Sequence, residues 1–108
     1  MKKSDEIIIA SLDSIRQLQE AYGCVFGTYD KDKACLWLTE EVGELIRAIR
    51  RNHDLDDVTG ELGDVLVWIF SLMNTLEIDG RILVEKSILK ELYRQKSVYG
   101  ADKVDGLA

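Results

Sequence analysis

Residues 61–76 read ELGDVLVWIFSLMNTL, and this stretch decides the fold. On a helix drawn through it, apolar side chains occupy nearly every side, a pattern typical of a helix in the middle of a packed arrangement. Glu61 and Asp64 lie inside it, three residues apart and therefore on one helix face. We expect a buried helix that carries two carboxylates.

Three further helices are predicted on either side of this one, at about residues 5–22, 31–51 and 80–99. The second has a regular apolar seam, composed of Cys35, Leu38, Val42, Leu45 and Ile49. Gly23 and Gly27 bracket a predicted connection, Asp79 is a predicted N-cap, and Gly100 ends the last helix. The fold predicted is all-α: a four-helix bundle-like single domain at 1–100 and a tail at 101–108.

Composition favours the same class. The chain has 108 residues, 46% of them hydrophobic, and no proline, so helix formation is favoured over most of its length. Its net charge is −6, whereas surfaces that bind polymeric nucleic acid are normally basic, so we expect no such partner. The N-terminus has no apolar region typical of a signal peptide, and no run is long enough for a membrane span. A soluble, cytoplasmic protein without a membrane partner is expected.

A short motif occurs twice. Residues 41–46, EVGELI, and residues 61–66, ELGDVL, both have the form acid, apolar, Gly, acid, apolar, apolar. A short connection makes the two helices antiparallel neighbours, so the repeats are expected to face one another. A glycine inside a helix costs about 1 kcal/mol relative to alanine. Close approach of the two helix backbones at Gly43 and Gly63 would explain both glycines.

The four acids of these repeats predict a metal site. No Lys or Arg occurs between Glu61 and Leu76, so the two carboxylates of this helix lack a nearby cation in sequence. Buried carboxylates are costly unless they are protonated, paired or bound to a metal. Oxygen ligands alone select Mg²⁺, Mn²⁺ or Ca²⁺. The set is composed of Glu41, Glu44, Glu61 and Asp64.

The acids have two other interpretations. An E-x-x-E pair on a helix is usually a solvated face, and a single pair would carry little weight. A di-iron or di-manganese bundle requires Glu-x-x-His, but His53 is the only histidine and lies in the connection between the second and third helices. The residues disfavour that second interpretation.

The paired motif resembles the E-x-x-E…E-x-x-D signature of the MazG-like all-α nucleoside triphosphate pyrophosphohydrolases. Glu41-x-x-Glu44 is followed 17 residues later by Glu61-x-x-Asp64, and the resemblance covers roughly residues 12–100. It implies hydrolysis of a (d)NTP to the monophosphate and pyrophosphate, a role in clearing nucleotides, and Mg²⁺ (Mn²⁺ possible) held by the four acids. The catalytic residues it implies are Glu40 and Glu41. Glu40 would orient the attacking water or bind a second metal, an exposed acid being the alternative.

The resemblance also implies substrate contacts, predicted at Trp37, Lys86, Lys90, Lys96 and Tyr99. The family's usual Lys–Asn–Arg–Tyr run on the last helix is not reproduced. Each lysine is also consistent with a solvated surface. Trp37 and Trp68 are also consistent with core or interface positions.

A homodimer or homotetramer with helices packing across a subunit interface is expected, because the third helix needs more cover than one chain gives easily. Two other functions fit the residues. One is a non-catalytic helical module that binds a metal or a partner. The other is a related helical hydrolase such as phosphoribosyl-ATP pyrophosphohydrolase.

Overall fold

The computed structural model describes residues 3–100, so the predicted tail at 101–108 lies outside the described residues. The elements are α1 (Lys3–Phe26), α2 (Lys31–Arg50), α3 (Leu55–Thr75), α4 (Gly80–Val84), a π-helical turn (Glu85–Leu89) and α5 (Lys90–Tyr99). Within residues 3–100 every regular element is helical, which confirms the predicted all-α class. Among these helices there is none with the length and apolar character needed to cross a bilayer.

Aspartates begin three of the helices. The side chain of Asp30 accepts a hydrogen bond from the Lys33 N–H at 3.1 Å, and Asp54 accepts one from the Asp57 N–H at 2.9 Å. Asp79 caps α4 in the same way, as the sequence predicted. Each carboxylate satisfies a backbone donor that has no partner within its own helix and lies at the positive end of the helix dipole.

The predicted end of α1 was wrong. The helix continues through Gly23 to Phe26 and ends at Gly27, whose φ of 68° is readily adopted by glycine. The Gly27 N–H donates to the Gly23 carbonyl oxygen at 2.8 Å. Gly23 lies against Asn74, and a Cβ atom at position 23 would be 3.2 Å from Asn74 Nδ2. Gly23 therefore allows close packing inside a helix instead of marking a turn.

The predicted last helix is present, but it is not uniformly α-helical. The π-helical turn at Glu85–Leu89 separates α4 from α5 without a break in the chain. Val84 and Leu89 are both buried. Residues five apart in a regular α-helix lie about 140° apart, whereas the wider π turn brings them towards one face. The π turn thus brings the two buried side chains closer to one face than a regular α-helix would.

The chain comprises two compact units. The first contains α1 up to Glu20 together with the chain from Ile78. Gln19 is buried and joins these two parts: its Nε2 donates to the Ile78 carbonyl oxygen and its Oε1 accepts from the Gly80 N–H, both at 2.7 Å. Ion pairs between Arg81 and Asp13 and between Lys96 and Asp5 join them as well.

The second unit extends from Ala21 to Glu77, and the packing of α2 on α3 dominates it. Two small side chains of α2, Ala34 and Ala48, are buried. At one end, the Thr75 hydroxyl accepts from the Tyr29 N–H at 3.3 Å and donates to the Tyr29 carbonyl oxygen at 3.4 Å. These bonds fix the residue just before α2 to the last turn of α3.

The prediction that α3 is buried on every side was wrong for this chain. Leu62 and Leu66 are 56% and 52% exposed, and Ile69 is also exposed. These three side chains are spaced four and three residues apart and follow one face of the helix. We call them the α3 apolar stripe; it borders a cavity of about 370 Å³ that Gly63 and Val65 also line.

The explanation predicted for the repeat glycines was also wrong. A Cβ atom built at Gly43 or Gly63 would meet no atom within 4 Å in the part of the chain described. Both glycines therefore lie on open sides of their helices. Contact between α2 and α3 does not require them.

Candidate metal centre

The centre is built from facing turns of α2 and α3. Glu41 lies on α2, at a position that turns towards α3 between the buried residues Ala34 and Ala48. Glu61 and Asp64 lie three residues apart on α3, so their side chains share one face of that helix. The short connection after α2 makes the helices antiparallel, which brings the two repeats together as predicted.

Three carboxylates converge. One oxygen atom from each of Glu41, Glu61 and Asp64 lies within 4.8 Å of the other two. Glu41 and Glu61 are half-buried and Asp64 is exposed, so the cluster opens to solvent on one side. The Oε2 atoms of Glu41 and Glu61 are buried and have no hydrogen-bond partner among the described residues. Buried polar atoms normally have a partner, so these two oxygens are suited to bind a cation or a hydrogen-bond donor.

Glu44, the fourth acid of the repeats, belongs to the same electrostatic group. It is exposed, and its negative charge acts on both Glu41 and Glu61. Burial raises the pKa of Glu41, and the negative charges of Glu44, Asp64 and Glu61 raise it further. Burial likewise raises the pKa of Glu61, followed by the charges of Glu44 and Asp64. Without a cation, the cluster therefore favours retention of a proton.

The donor set fits a hard divalent cation. All four side chains offer oxygen atoms, which Mg²⁺, Mn²⁺ and Ca²⁺ prefer as ligands. Among the described residues no Lys or Arg forms an ion pair with any of the four acids. A divalent cation would supply partners for the two buried Oε2 atoms and offset the mutual repulsion. These residues can therefore hold a metal of this class.

Glu40 does not join the three converging carboxylates. It is exposed on α2, one position before Glu41. At about 100° per residue, its side chain lies on the same flank of α2 as Glu44, one turn earlier. That placement leaves Glu40 on the solvent side of the cluster.

Three aromatic rings lie next to the acids. Trp37, one turn before Glu41, and Trp68, one turn after Asp64, have ring centroids 4.9 Å apart. Tyr29 lies 5.2 Å from Trp68 and 6.1 Å from Trp37. Trp37 remains 37% exposed, so part of its ring is available to a ligand. We call these residues the aromatic cluster.

The remaining residues predicted to contact substrate lie in the first compact unit. Lys86 is in the π turn and Lys90 begins α5; both are exposed. Lys96 is largely buried and its Nζ donates to Asp5 Oδ1 at 2.9 Å, with the Tyr93 ring 5.8 Å away. Tyr99 is exposed near the end of α5. The ammonium of Lys96 thus has a structural partner of its own.

Sequence reasoning missed one residue of this region. Tyr29 was assigned to a connection, yet it packs on both tryptophans and its backbone is bonded to Thr75. The only local feature that could have indicated Tyr29 is its position directly before Asp30, the N-cap of α2.

Comparison with protein families agrees with the paired acidic motif. The model of the MazG nucleotide pyrophosphohydrolase domain matches residues 30–97, a range that contains α2, α3, the four acids and most of α5. No curated protein and no solved structure matches the chain. Since the match covers more than half of the chain, the protein belongs to the MazG family.

Proposed function

We propose that this member of the MazG family is a Mg²⁺-dependent nucleoside triphosphate pyrophosphohydrolase that converts a (d)NTP and water to the (d)NMP and pyrophosphate. The observation that carries the proposal is the convergence of Glu41, Glu61 and Asp64, with two buried carboxylate oxygens that have no partner within residues 3–100. Family membership supports a pyrophosphohydrolase in general. The metal, the substrate and the residue roles are our inference.

Glu41, Glu44, Glu61 and Asp64 would hold the cation, with Mg²⁺ as the expected metal and Mn²⁺ as a substitute. When bound, Mg²⁺ supplies charge neutralisation for the triphosphate and favours ionisation of the attacking water. The raised pKa values of Glu41 and Glu61 mean that these carboxyl groups lose retained protons when a cation binds.

Glu40 and Glu41 are the proposed catalytic residues. Glu40 is exposed on the open side of the cluster, where its carboxylate can accept a proton from a water molecule that approaches the phosphate. Glu41 is fixed between α2 and α3 and orients the reacting groups through its position among the other acids.

Trp37 is the proposed contact for the nucleobase. Its partly exposed ring lies one helical turn from Glu41 and is supported by Trp68 and Tyr29. Base stacking on an aromatic ring is worth about 1–3 kcal/mol and tolerates different bases. Lys86, Lys90 and Tyr99 remain proposed phosphate or nucleotide contacts, and Lys96 is proposed with them although it is paired with Asp5.

A homodimer or homotetramer is the proposed assembly. The α3 apolar stripe is exposed in the single chain, and Gly63 beside it has open space in place of a side chain. A second copy packing on this stripe would remove apolar surface from water and could approach closely at Gly63. We also infer that the protein acts in the cytoplasm, without a membrane or polymeric nucleic acid as partner.

The proposal is tested by measuring pyrophosphate release from a panel of ribo- and deoxyribonucleoside triphosphates with and without Mg²⁺. We expect turnover of at least one triphosphate that requires the metal and is abolished by Glu41→Gln or Asp64→Asn. Full activity in Glu61→Gln would contradict the proposed centre. Tight Mn²⁺ binding without turnover of any nucleotide would show a binding module instead of an enzyme.

A further inference from the structure

The C-terminal end of α2 carries a group of arginines that the metal centre does not use. Arg47, Arg50 and Arg51 are exposed and, together with Ile46, line a cavity of about 360 Å³. We call these three residues the arginine patch. It lies in a chain whose net charge is −6, with 20 acidic residues against 14 basic ones.

The arginine patch differs from the other arginines of the chain in having no ion-pair partner within residues 3–100. Arg16, Arg81 and Arg94 each form an ion pair with a carboxylate. None of the three patch residues forms an ion pair with any described carboxylate, although the chain is rich in them. Basic residues in the last turn of a helix gain about 0.3–1 kcal/mol from the helix dipole, which explains their presence but not the shared cavity.

Glu44 is the acid of α2 that is nearest in sequence to the patch. Glu44 precedes Arg47 by three residues, the spacing at which a helical Glu and Arg ordinarily pair. No ion pair joins Glu44 to Arg47 in the described part of the chain, and Glu44 instead belongs to the group of acids around Glu41 and Glu61. Arg47 and Arg51 are four residues apart and repel each other unless an anion lies between them.

The patch continues the line of acids along α2. Glu40, Glu44, Arg47 and Arg51 are spaced four, three and four residues apart, so they follow one flank of the helix. Arg47 is one turn beyond Glu44, about 4.5 Å along the helix axis. A chain of linked phosphates held by a cation at the acids can therefore extend along this flank to the guanidinium groups, which bind phosphate through two parallel N–H donors.

We propose that the arginine patch binds the β- and γ-phosphates of the nucleoside triphosphate, the two groups that leave as pyrophosphate. This inference rests on the proposed function, because it assigns to the patch the phosphate end of the same substrate. In this arrangement the acids, through their cation, and the arginines contact different phosphates of the triphosphate. A cation held by the acids would supply charge neutralisation for one part of it, and Arg47 and Arg51 would neutralise the part that leaves.

Binding of inorganic pyrophosphate, measured by calorimetry in EDTA at low salt, tests the patch without the metal or turnover. We expect the double variant Arg47→Gln/Arg51→Gln to bind pyrophosphate at least tenfold more weakly than the wild type. Orthophosphate should bind more weakly than pyrophosphate, because it offers one phosphate to two arginines. The matched control is Arg16→Gln/Arg94→Gln, which removes the same charge from arginines that already have carboxylate partners.

Equal pyrophosphate affinity in the two double variants would overturn the inference. With the triphosphate that turns over fastest, the patch variant should show a KM at least tenfold higher, and an unchanged KM would overturn the assignment to substrate. Failure of the proposed function is a separate result: no hydrolysis of any nucleotide, with arginine-dependent pyrophosphate binding intact. The patch substitutions replace exposed side chains, so a folded variant is expected.

Discussion

Glu41 on α2 and Glu61 on α3 contribute oxygen atoms to the same cluster, and each keeps its Oε2 atom buried without a hydrogen-bond partner among the described residues. Two half-buried acids in this relationship are costly unless a cation binds or a proton is retained.

Metal binding should depend on the α3 carboxylates. We expect Glu61→Gln to lower Mn²⁺ affinity at least tenfold, because the amide removes a negative charge and a buried ligand oxygen from the cluster. Calorimetric titration of the purified protein measures this directly. Glu85→Gln, an equal change at an exposed acid in the π turn, serves as control and should bind Mn²⁺ like the wild type.

The stability of the metal-free protein should fall as pH rises above the ordinary glutamate pKa of 4.5. The pKa values of Glu41 and Glu61 are raised in the folded state, so in this range the folded chain binds more protons than the unfolded chain. Their contribution is present below pH 4.5 and is lost as pH rises through the folded-state pKa values. Urea unfolding in EDTA at a series of pH values measures the slope.

The free energy of unfolding should depend less steeply on pH in Glu41→Gln, because the amide at position 41 does not bind or release a proton in this range. At neutral pH without metal, the variant should be more stable than the wild type because one repelling charge is gone. An identical pH profile in Glu41→Gln and the wild type would contradict the placement of Glu41 in a mutually repelling cluster.

Gly43→Ala should stabilise the chain. A Cβ atom at this position meets open space, and alanine is favoured over glycine inside a helix by about 1 kcal/mol. The expected rise in Tm is roughly 4 °C for a domain of this size. Thermal unfolding followed by circular dichroism measures it. Gly27→Ala is the opposing control, since φ is 68° there and the substitution should destabilise by about 1–2 kcal/mol.

Leu66→Glu should weaken self-association. Leu66 is at the centre of the α3 apolar stripe, where a charge would have to be buried against the second copy. Light scattering after size-exclusion chromatography should show a dimer or tetramer for the wild type and a smaller species for the variant. Leu55→Glu is the control, because Leu55 is 82% exposed at the start of α3 and lies outside the stripe. A monomeric wild type would refute the proposed assembly.

Lys96→Met should destabilise the protein whether or not Lys96 contacts substrate. The side chains of Lys96 and Asp5 are only 14% and 8% exposed, and removal of one partner from a buried ion pair costs about 3–5 kcal/mol. Urea unfolding measures the loss. Lys90→Met, at an exposed position, should leave stability unchanged. A raised KM in Lys90→Met alone would then report a substrate contact without a structural effect.

The sequence predicted the elements that depend on local chemistry. Periodicity located the helices, and the cap at Asp79 was correct because an aspartate at that position satisfies a free backbone N–H. The repeat spacing correctly placed Glu41, Glu61 and Asp64 on facing turns, since antiparallel helices joined by a short connection have little choice of register.

Features that depend on partners were not predictable from the pattern. The apolar residues around α3 indicate which sides of the helix should be buried, but they do not indicate which other element packs on each side. In the single chain, Leu62 and Leu66 remain exposed. The sequence predicts a turn at Gly23, because the contact of this residue with Asn74, 51 positions away, has no local signal. The periodicity likewise predicts one continuous helix over 80–99 and does not indicate the π turn at Glu85–Leu89.

The aromatic cluster also provides an intrinsic spectroscopic probe of the metal centre. Trp37 and Trp68 are the only tryptophans, their rings are 4.9 Å apart, and each lies one helical turn from a carboxylate of the centre. All intrinsic indole fluorescence therefore originates beside the acids. Their closely spaced transition dipoles couple, so a small displacement of α2 relative to α3 changes the near-ultraviolet dichroism. Occupation of the centre can thus be followed by spectroscopy, without an added label and without turnover.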